Sequence, residues 1–250
     1  MDTVEGLKKR LEDLAMRCYR DNLYTYTGFL NIAEQDVFHR MKAVLSYAEP
    51  SLHGGGIDCE RQIVRFGSEK MLGYTEEVPI ACVAMIPSAI KFAGDLSHRD
   101  FLGGLMHLGI ERATLGDIIV DQAIGYVFCT SMMASFIIDN LEQIGRTHVS
   151  CRRAEGPAAS AVAGEIRTVQ ATSERLDAVI ARVYQLSRAD SQELFSRKRV
   201  FLNGMVRENN SILLKPEDVV SVRGFGKFTY MGYESISKKG KKNILINIRK

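Results

Sequence analysis

The chain reads as an α+β protein in three successive pieces: an N-terminal α/β segment, a middle β-α-β-β-α-β run, and two short helices followed by a β-ribbon. Three observations predict this. Apolar residues in 1–20 step by three and four, the period of one helix face. Between Val78 and Arg153, helix-period and strand-like runs alternate, with cap and stop residues between them. After Ser173 the helical period returns twice, and an Asn-Gly pair then stands between two apolar runs. At 250 residues with 46% apolar content, the chain is long enough for two or three small packed domains. The boundaries expected are an N-terminal module over 1–76, a middle domain over 77–155, a linker over 156–172 that carries an extra strand through Ile166, Val169 and Ala171, and a C-terminal domain over 173–250.

In the first helix, Val4, Leu7, Leu11, Leu14 and Cys18 form the apolar face. Phe29-Leu30 is a short strand candidate. Asn31 with Glu34 is a capping-box pattern for a second helix that turns Val37, Met41, Val44, Leu45 and Ala48 inward and stops at Pro50. His53-Gly54-Gly55-Gly56 leads into a strand over 62–66. Three glycines in a row can offer backbone amides to a phosphate, but no Gly-Lys-Ser/Thr follows, so a flexible turn is the favoured role. Arg61 and Arg65 stand beside it as further cations for an RNA path.

In the middle domain, 80–86 is an apolar strand stopped by Pro87. Ser97 and Asp100 cap a helix carrying Leu102, Leu105, Met106 and Leu108, which Gly109 ends. The runs 117–121 and 124–129 are two strands across a tight turn. Ser131 opens a helix bearing Met132, Phe136, Ile137, Leu141 and Ile144, and 148–153 is the last strand. This order is the ferredoxin-like arrangement, a four-stranded antiparallel sheet with both helices on one face. The topology serves many functions, and these strands lack the aromatic-rich sequence that RNA-recognition domains use for base stacking.

The C-terminal piece opens on Leu176, Val179, Ile180 and Val183 at helical spacing. Ser187, three residues before Asp190, starts a second helix whose beginning and exit carry Arg188, Arg197, Lys198 and Arg199. Asn203-Gly204 predicts a two-residue hairpin turn, because both positions tolerate positive φ. Lys238 to Lys242 forms a lysine-rich hairpin tip, equally a solvated turn or a phosphate contact, ahead of the alternating run 244–248.

Charge follows this division. The net charge is +3, yet Glu174–Lys250 holds sixteen Lys/Arg against eight Asp/Glu, while the rest of the chain has 17 basic and 22 acidic residues. A basic end on a mildly acidic body is the footprint of a polyanion binder. Five scattered cysteines without Cys-x-x-Cys spacing read as reduced core residues, neither disulfides nor metal ligands. No run reaches membrane-spanning length and no signal-peptide layout opens the chain, which makes the cytoplasm the default location. His98, His107 and His148 read as surface or capping residues. The Gly-x-Gly-type cofactor loop after a strand that a methyltransferase needs is not found, and no Gly-x-Ser-x-Gly or His-Glu-x-x-His motif occurs.

Arg175-Leu176-Asp177, Ser187-Arg188, Val200, Asn203-Gly204, Asp218-Val219, Val222-Arg223 and Gly226-Lys227-Phe228 stand in an order that resembles the RNA-binding domain named after small-subunit ribosomal protein four, here the S-four domain. Two positions depart from that pattern: Lys198 and Glu217 stand where glycine is usual. An RNA grip needs cations on a rigid element plus a few polar groups. Arg175, Arg188, Arg197, Lys198, Arg199, Arg223 and Lys227 are the expected cations, with Ser187 and Asn203 as polar contacts. Arg175-Leu176-Asp177 also matches a pseudouridine-synthase triplet, but here it opens a helix, where Asp177 suits the first-turn dipole.

The phrase Phe101 to Arg112, followed by Leu115-Gly116-Asp117-Ile118, together with the glycine loop and the S-four segment, resembles the bacterial YlmH family over nearly the whole chain. That resemblance implies a cytoplasmic RNA-binding protein encoded near cell-division genes. It further implies binding to the large ribosomal subunit carrying peptidyl-tRNA, in rescue of stalled translation. The expected partners are therefore structured RNA (rRNA and tRNA) and the large subunit, with no catalytic residue, metal, small-molecule cofactor or membrane. The competing expectations are an RNA-modifying enzyme and a cell-division interaction scaffold.

Overall fold

The structure, a computed structural model, describes residues 3–56, 58–88, 96–157, 164–237 and 240–249. It is a mixed α and β protein in two compact units, Met1–Val162 and Ala163–Lys250.

In the first unit, helix α1 (Val4–Asp21) starts where the Thr3 hydroxyl accepts the Gly6 N–H and buries Leu7, Leu11, Ala15 and Cys18, while Val4 stays 57% exposed. Helix α2 (Ile32–Met41) carries the expected capping box: the Asn31 side chain accepts from Ala33 and Glu34, and Glu34 accepts from the Asn31 N–H. It ends well before Pro50, giving way to a 3₁₀ turn at Ser46–Ala48, and Val44 points to solvent instead of inward. Helix α2 also buries Gln35, whose amide donates to the Leu30 and Glu60 carbonyls. These helices pack on one face of a three-stranded antiparallel sheet, order β1 (Thr25–Tyr26), β3 (Ile63–Phe66), β2 (Ser51–His53), through Phe38, Leu45, Val64 and Phe66. Leu30 contributes only a single bridge to Gln62. A short helix, α3 (Glu69–Leu72), closes the module.

The middle segment runs β4 (Ile80–Pro87), α4 (His98–His107), β5 (Leu115–Asp121), β6 (Ile124–Thr130), α5 (Ser131–Asn140), β7 (Gln143–Ile144) and β8 (Thr147–Ala154). Its sheet has the order β5-β6-β4-β8-β7 with antiparallel neighbours, one strand more than expected because 143–144 folds back onto β8. Alternation along the strands divides the two faces. Val83, Met85, Val127, Cys129 and Val149 pack under Phe101 and Leu105 of α4 and Ala134 and Ile137 of α5. On α5, of the apolar residues the helix bears, Met132 and Phe136 are exposed, at 90% and 42%, since Ala134 and Ile137 form the seam.

The opposite face of this sheet is partly covered by the N-terminal module. Cys82 and Phe128 are buried with Phe29, Cys59 and Ile63. The glycine loop lies on Phe128 here. A Cβ on Gly55 would come within 2.7 Å of that ring and one on Gly56 within 2.6 Å. The glycines thus permit close approach inside the unit, which replaces the flexible-turn role.

Arg61 anchors the same junction from inside. Its guanidinium donates to the carbonyls of Phe29 (2.8 Å), Arg112 (3.1 Å) and Leu115 (2.9 Å), while Asp117 accepts the backbone N–H groups of Glu60 and Arg61. Arg112 donates to Leu115 and Gly116. Burial lowers both guanidinium pKa values, that of Arg112 to about 10. Arg61 is a structural arginine in this setting, not one lining an RNA path. Cys18, Cys82, Cys129 and Cys151 are free thiols, and burial pushes Cys82 and Cys129 up to about 12.

The second unit has a six-stranded antiparallel sheet, order β11 (Met205–Val206), β10 (Val200–Leu202), β12 (Val219–Val222), β13 (Gly226–Ile236), β14 (Lys242–Arg249), β9 (Glu165–Ala171). Strand β9, where the sequence offers an extra strand within the linker stretch, pairs with β14 residue by residue from Glu165 to Ala171. Helices α6 (Leu176–Val183) and α7 (Arg188–Ser196) complete it. Leu176, Val179, Ile180, Leu194 and Phe195 pack against Val200, Val220, Phe228, Tyr230, Ile244 and Ile246. The Ser191 hydroxyl, buried, donates to the Asp177 carbonyl at 3.0 Å and ties the helices together. Glu174, just before α6, accepts from the Tyr230 hydroxyl and from Lys242, whose ammonium lies 4.2 Å from the Tyr233 ring centroid. Lys238 and Lys239 lie outside the described residues.

Two predictions follow from these contacts. Arg61→Met keeps the side-chain bulk but removes the donors to three carbonyls. It should cost on the order of 3 kcal/mol, read from the urea midpoint of the full chain. The hydrogen bonds from Lys242 and Tyr230 hold the Glu174 carboxyl below its ordinary value of 4.5. A depressed folded value stabilises above the carboxylate range and loses that stabilisation as pH falls through it. The urea-midpoint gap between wild type and Glu174→Gln should therefore be widest at neutral pH and close on acidification.

Candidate nucleic-acid interface

The nine predicted contact residues all lie in the second unit, around the ends of α6 and α7 and the turns of the ribbon. The structure gives them different tasks. Arg175, at the N-cap of α6, forks onto Asp177 through Nε (3.1 Å) and Nη2 (2.8 Å), and the same carboxylate accepts the Ala178 N–H. Asp177 is only 7% exposed, so this pair closes the helix start. Ser187 is the N-cap of α7, accepting the Asp190 N–H at 3.1 Å while its hydroxyl donates to the Asp190 carboxylate at 2.6 Å. Asn203 and Gly204 take φ of 51° and 79° between β10 and β11, as the sequence requires. The Asn203 side chain accepts from Val219 and donates to Asp218, both at 2.8 Å.

The exit of α7 forms a Schellman motif. Lys198 N–H reaches the Phe195 carbonyl (3.0 Å), and Arg199 N–H the Leu194 carbonyl (2.9 Å). Lys198 occupies the left-handed position at φ 53°, and Glu217 takes φ 72° before the last turn. These are the two positions where the sequence departs from glycine. Lys198 pairs with Glu208 at 3.2 Å, and Arg197 with Glu193 at 2.6 Å, both pairs well exposed. Exposed pairs of this kind contribute little to stability.

Arg199 is half-buried. Its Nη2 donates to the Arg223 carbonyl at 2.7 Å, and the Arg223 N–H returns to the Arg199 carbonyl at 2.9 Å. One cation therefore fixes the backbone that presents another. Arg223 and Arg188 are exposed and form no ion pair among the described residues. Lys227 is partly buried on β13, opposite Ser221. The nine residues separate into helix and turn supports (Arg175, Ser187, Asn203, Arg199) and solvent-facing cations (Arg188, Arg197, Lys198, Arg223), with Lys227 beside the last.

Sequence reasoning passed over Phe225, at the tip of the turn between Arg223 and Lys227. It is 43% exposed and rests against Tyr184, ring centroids 5.4 Å apart. The signal was available: an aromatic between two glycines, themselves between two cations. In the middle segment, Phe128 and Tyr126 share the sheet face turned away from the helices, yet Phe128 is 3% exposed beneath the glycine loop, which closes it to a nucleobase.

Comparison with known proteins joins these observations. A family model described as "Putative RNA-binding domain in YlmH" matches residues 79–156, the β4–β8 segment. "Ribosome-associated protein quality control protein P2" of Bacillus subtilis (strain 168) is 32% identical over 219 residues, covering 86% of this chain and 83% of that protein. The solved structure "Cell division protein ylmH from Streptococcus pneumoniae" aligns at 20% identity with a TM-score of 0.47, over 62% of this chain and 93% of that one. With a relative of that identity matched over most of both lengths, and with the family's own domain recognised between its first and last middle strands, the chain belongs to the YlmH family.

Proposed function

We propose that this protein is a non-enzymatic RNA-binding adaptor that docks on rRNA and tRNA at the large ribosomal subunit and serves the rescue of stalled translation. The observation that carries the reading is the pair Arg188 and Arg223. They stand in solvent without ion partners among the described residues, on a rigid frame of capped helices and ribbon. Arg197 and Lys198 add exposed positive charge at the end of α7. The second unit corresponds to the S-four domain in this reading, and the β4–β8 segment to a ferredoxin-like domain giving a further RNA-facing surface. The name of the B. subtilis relative supports the ribosomal setting, and the family model supports RNA as the partner. Asp177, the residue a pseudouridine-synthase reading would use, is taken up by Arg175 and the Ala178 N–H, which favours a binding role.

Reversing charge in the full chain with Arg188→Glu plus Arg223→Glu should abolish co-sedimentation with large subunits without moving the thermal midpoint. For the wild-type chain, the logarithm of the binding constant should fall linearly with the logarithm of salt concentration, with a slope tracking the phosphates neutralised. Co-sedimentation of the double variant at wild-type level overturns the proposal.

A further inference from the structure

We propose that Phe225 is a stacking platform for an unpaired base in structured RNA, an inference that rests on the RNA-binding reading of the second unit and locates where it meets a nucleobase. Scattered exposed apolar residues need no explanation. Phe225 differs because its position is built. The turn is possible only with Gly224 at φ 91° and Gly226 at φ 117°, conformations that L side chains rarely adopt. Gly224 lies against the Arg199 guanidinium so closely that a Cβ there would come within 2.5 Å of Nη2. That same guanidinium holds the Arg223 carbonyl, and the Phe225 N–H donates to the Val222 carbonyl at 2.9 Å. Tyr184 packs against the Phe225 ring at an interplanar angle of 50°. Backbone and ring are both fixed, while 43% of the residue stays in solvent.

The surroundings select the ligand. Arg223, exposed in the same turn two residues before the ring, offers positive charge to a phosphate flanking a stacked base. Every nucleobase has a π-face, and stacking on an aromatic is worth roughly tenfold or more in affinity per base. Bases within a duplex have both faces covered, so the platform reaches only a bulged, looped or terminal base. In this arrangement Arg199 is a positioning residue: it holds the turn on which the cation and the ring are carried.

The test uses the full chain and two RNA probes: a hairpin with one bulged 2-aminopurine, and the fully paired hairpin of the same stem. Phe225→Leu retains apolar packing on Tyr184 but has no ring. It should bind the bulged hairpin on the order of tenfold more weakly, leave the paired hairpin unchanged, and lose the 2-aminopurine fluorescence change on binding. Phe225→Tyr should match wild type on both probes, and thermal melting should show each variant folded. Wild-type affinity of Phe225→Leu for the bulged hairpin, or an equal loss on both hairpins, overturns the platform. Arg223→Glu separates this failure from that of the wider reading. If it weakens both probes while Phe225→Leu changes neither, stacking alone is wrong; if Arg223→Glu also changes neither, the RNA-binding reading of this surface falls with it.

Discussion

Helices α6 and α7 are eight and nine residues long, too short to hold together alone in water, and their end groups must find partners. That requirement governs the second unit. Arg175 with Asp177 closes one helix start, Ser187 with Asp190 the other, and Lys198 in the left-handed region ends α7 so that Arg199 can turn back under Leu194. Asn203 meets the same need at the ribbon, binding Asp218 and Val219 across the hairpin. Polar residues that a motif comparison would assign to the ligand are thus engaged by the fold. The groups left over for a ligand are those that the frame carries outward.

Much of this was legible in the sequence where a local rule decides the outcome. Asn31 with Glu34, Ser97 with Asp100 and Ser187 with Asp190 cap as their spacing requires, because a capping box depends on residues three apart and nothing distant. Lys198 and Glu217 take positive φ where glycine is usual, since the backbone path is set by the turn and not by the side chain. The alternation of strands and helices from β4 to β8 was readable from periodicity, though the short strand β7 was not.

What could not be read depends on partners remote in sequence. Helical spacing turns Val44 inward and counts Met132 and Phe136 among the apolar residues of α5, yet the neighbouring element sits elsewhere and leaves all three exposed. The glycine loop looked mobile because sequence gives no sign that Phe128, more than 70 residues later, lies beneath it. Arg61 looked like a surface cation, although the carbonyls that hold it come from Phe29, Arg112 and Leu115. The strand through Ile166, Val169 and Ala171 was visible in the sequence, but its seven-residue pairing with β14, which makes it part of the second unit's sheet, was not. Among the contact residues, type and position were visible; which of them the fold would consume was not.

Lys198 also bears on how such a chain can change over time. Glycine at its left-handed position would relieve about 1 kcal/mol of backbone strain, but it would also take a cation away from the end of α7. Stability and positive charge pull this single residue in opposite directions. A laboratory selection for heat resistance should drift toward glycine here, whereas a selection for polyanion affinity should keep the lysine.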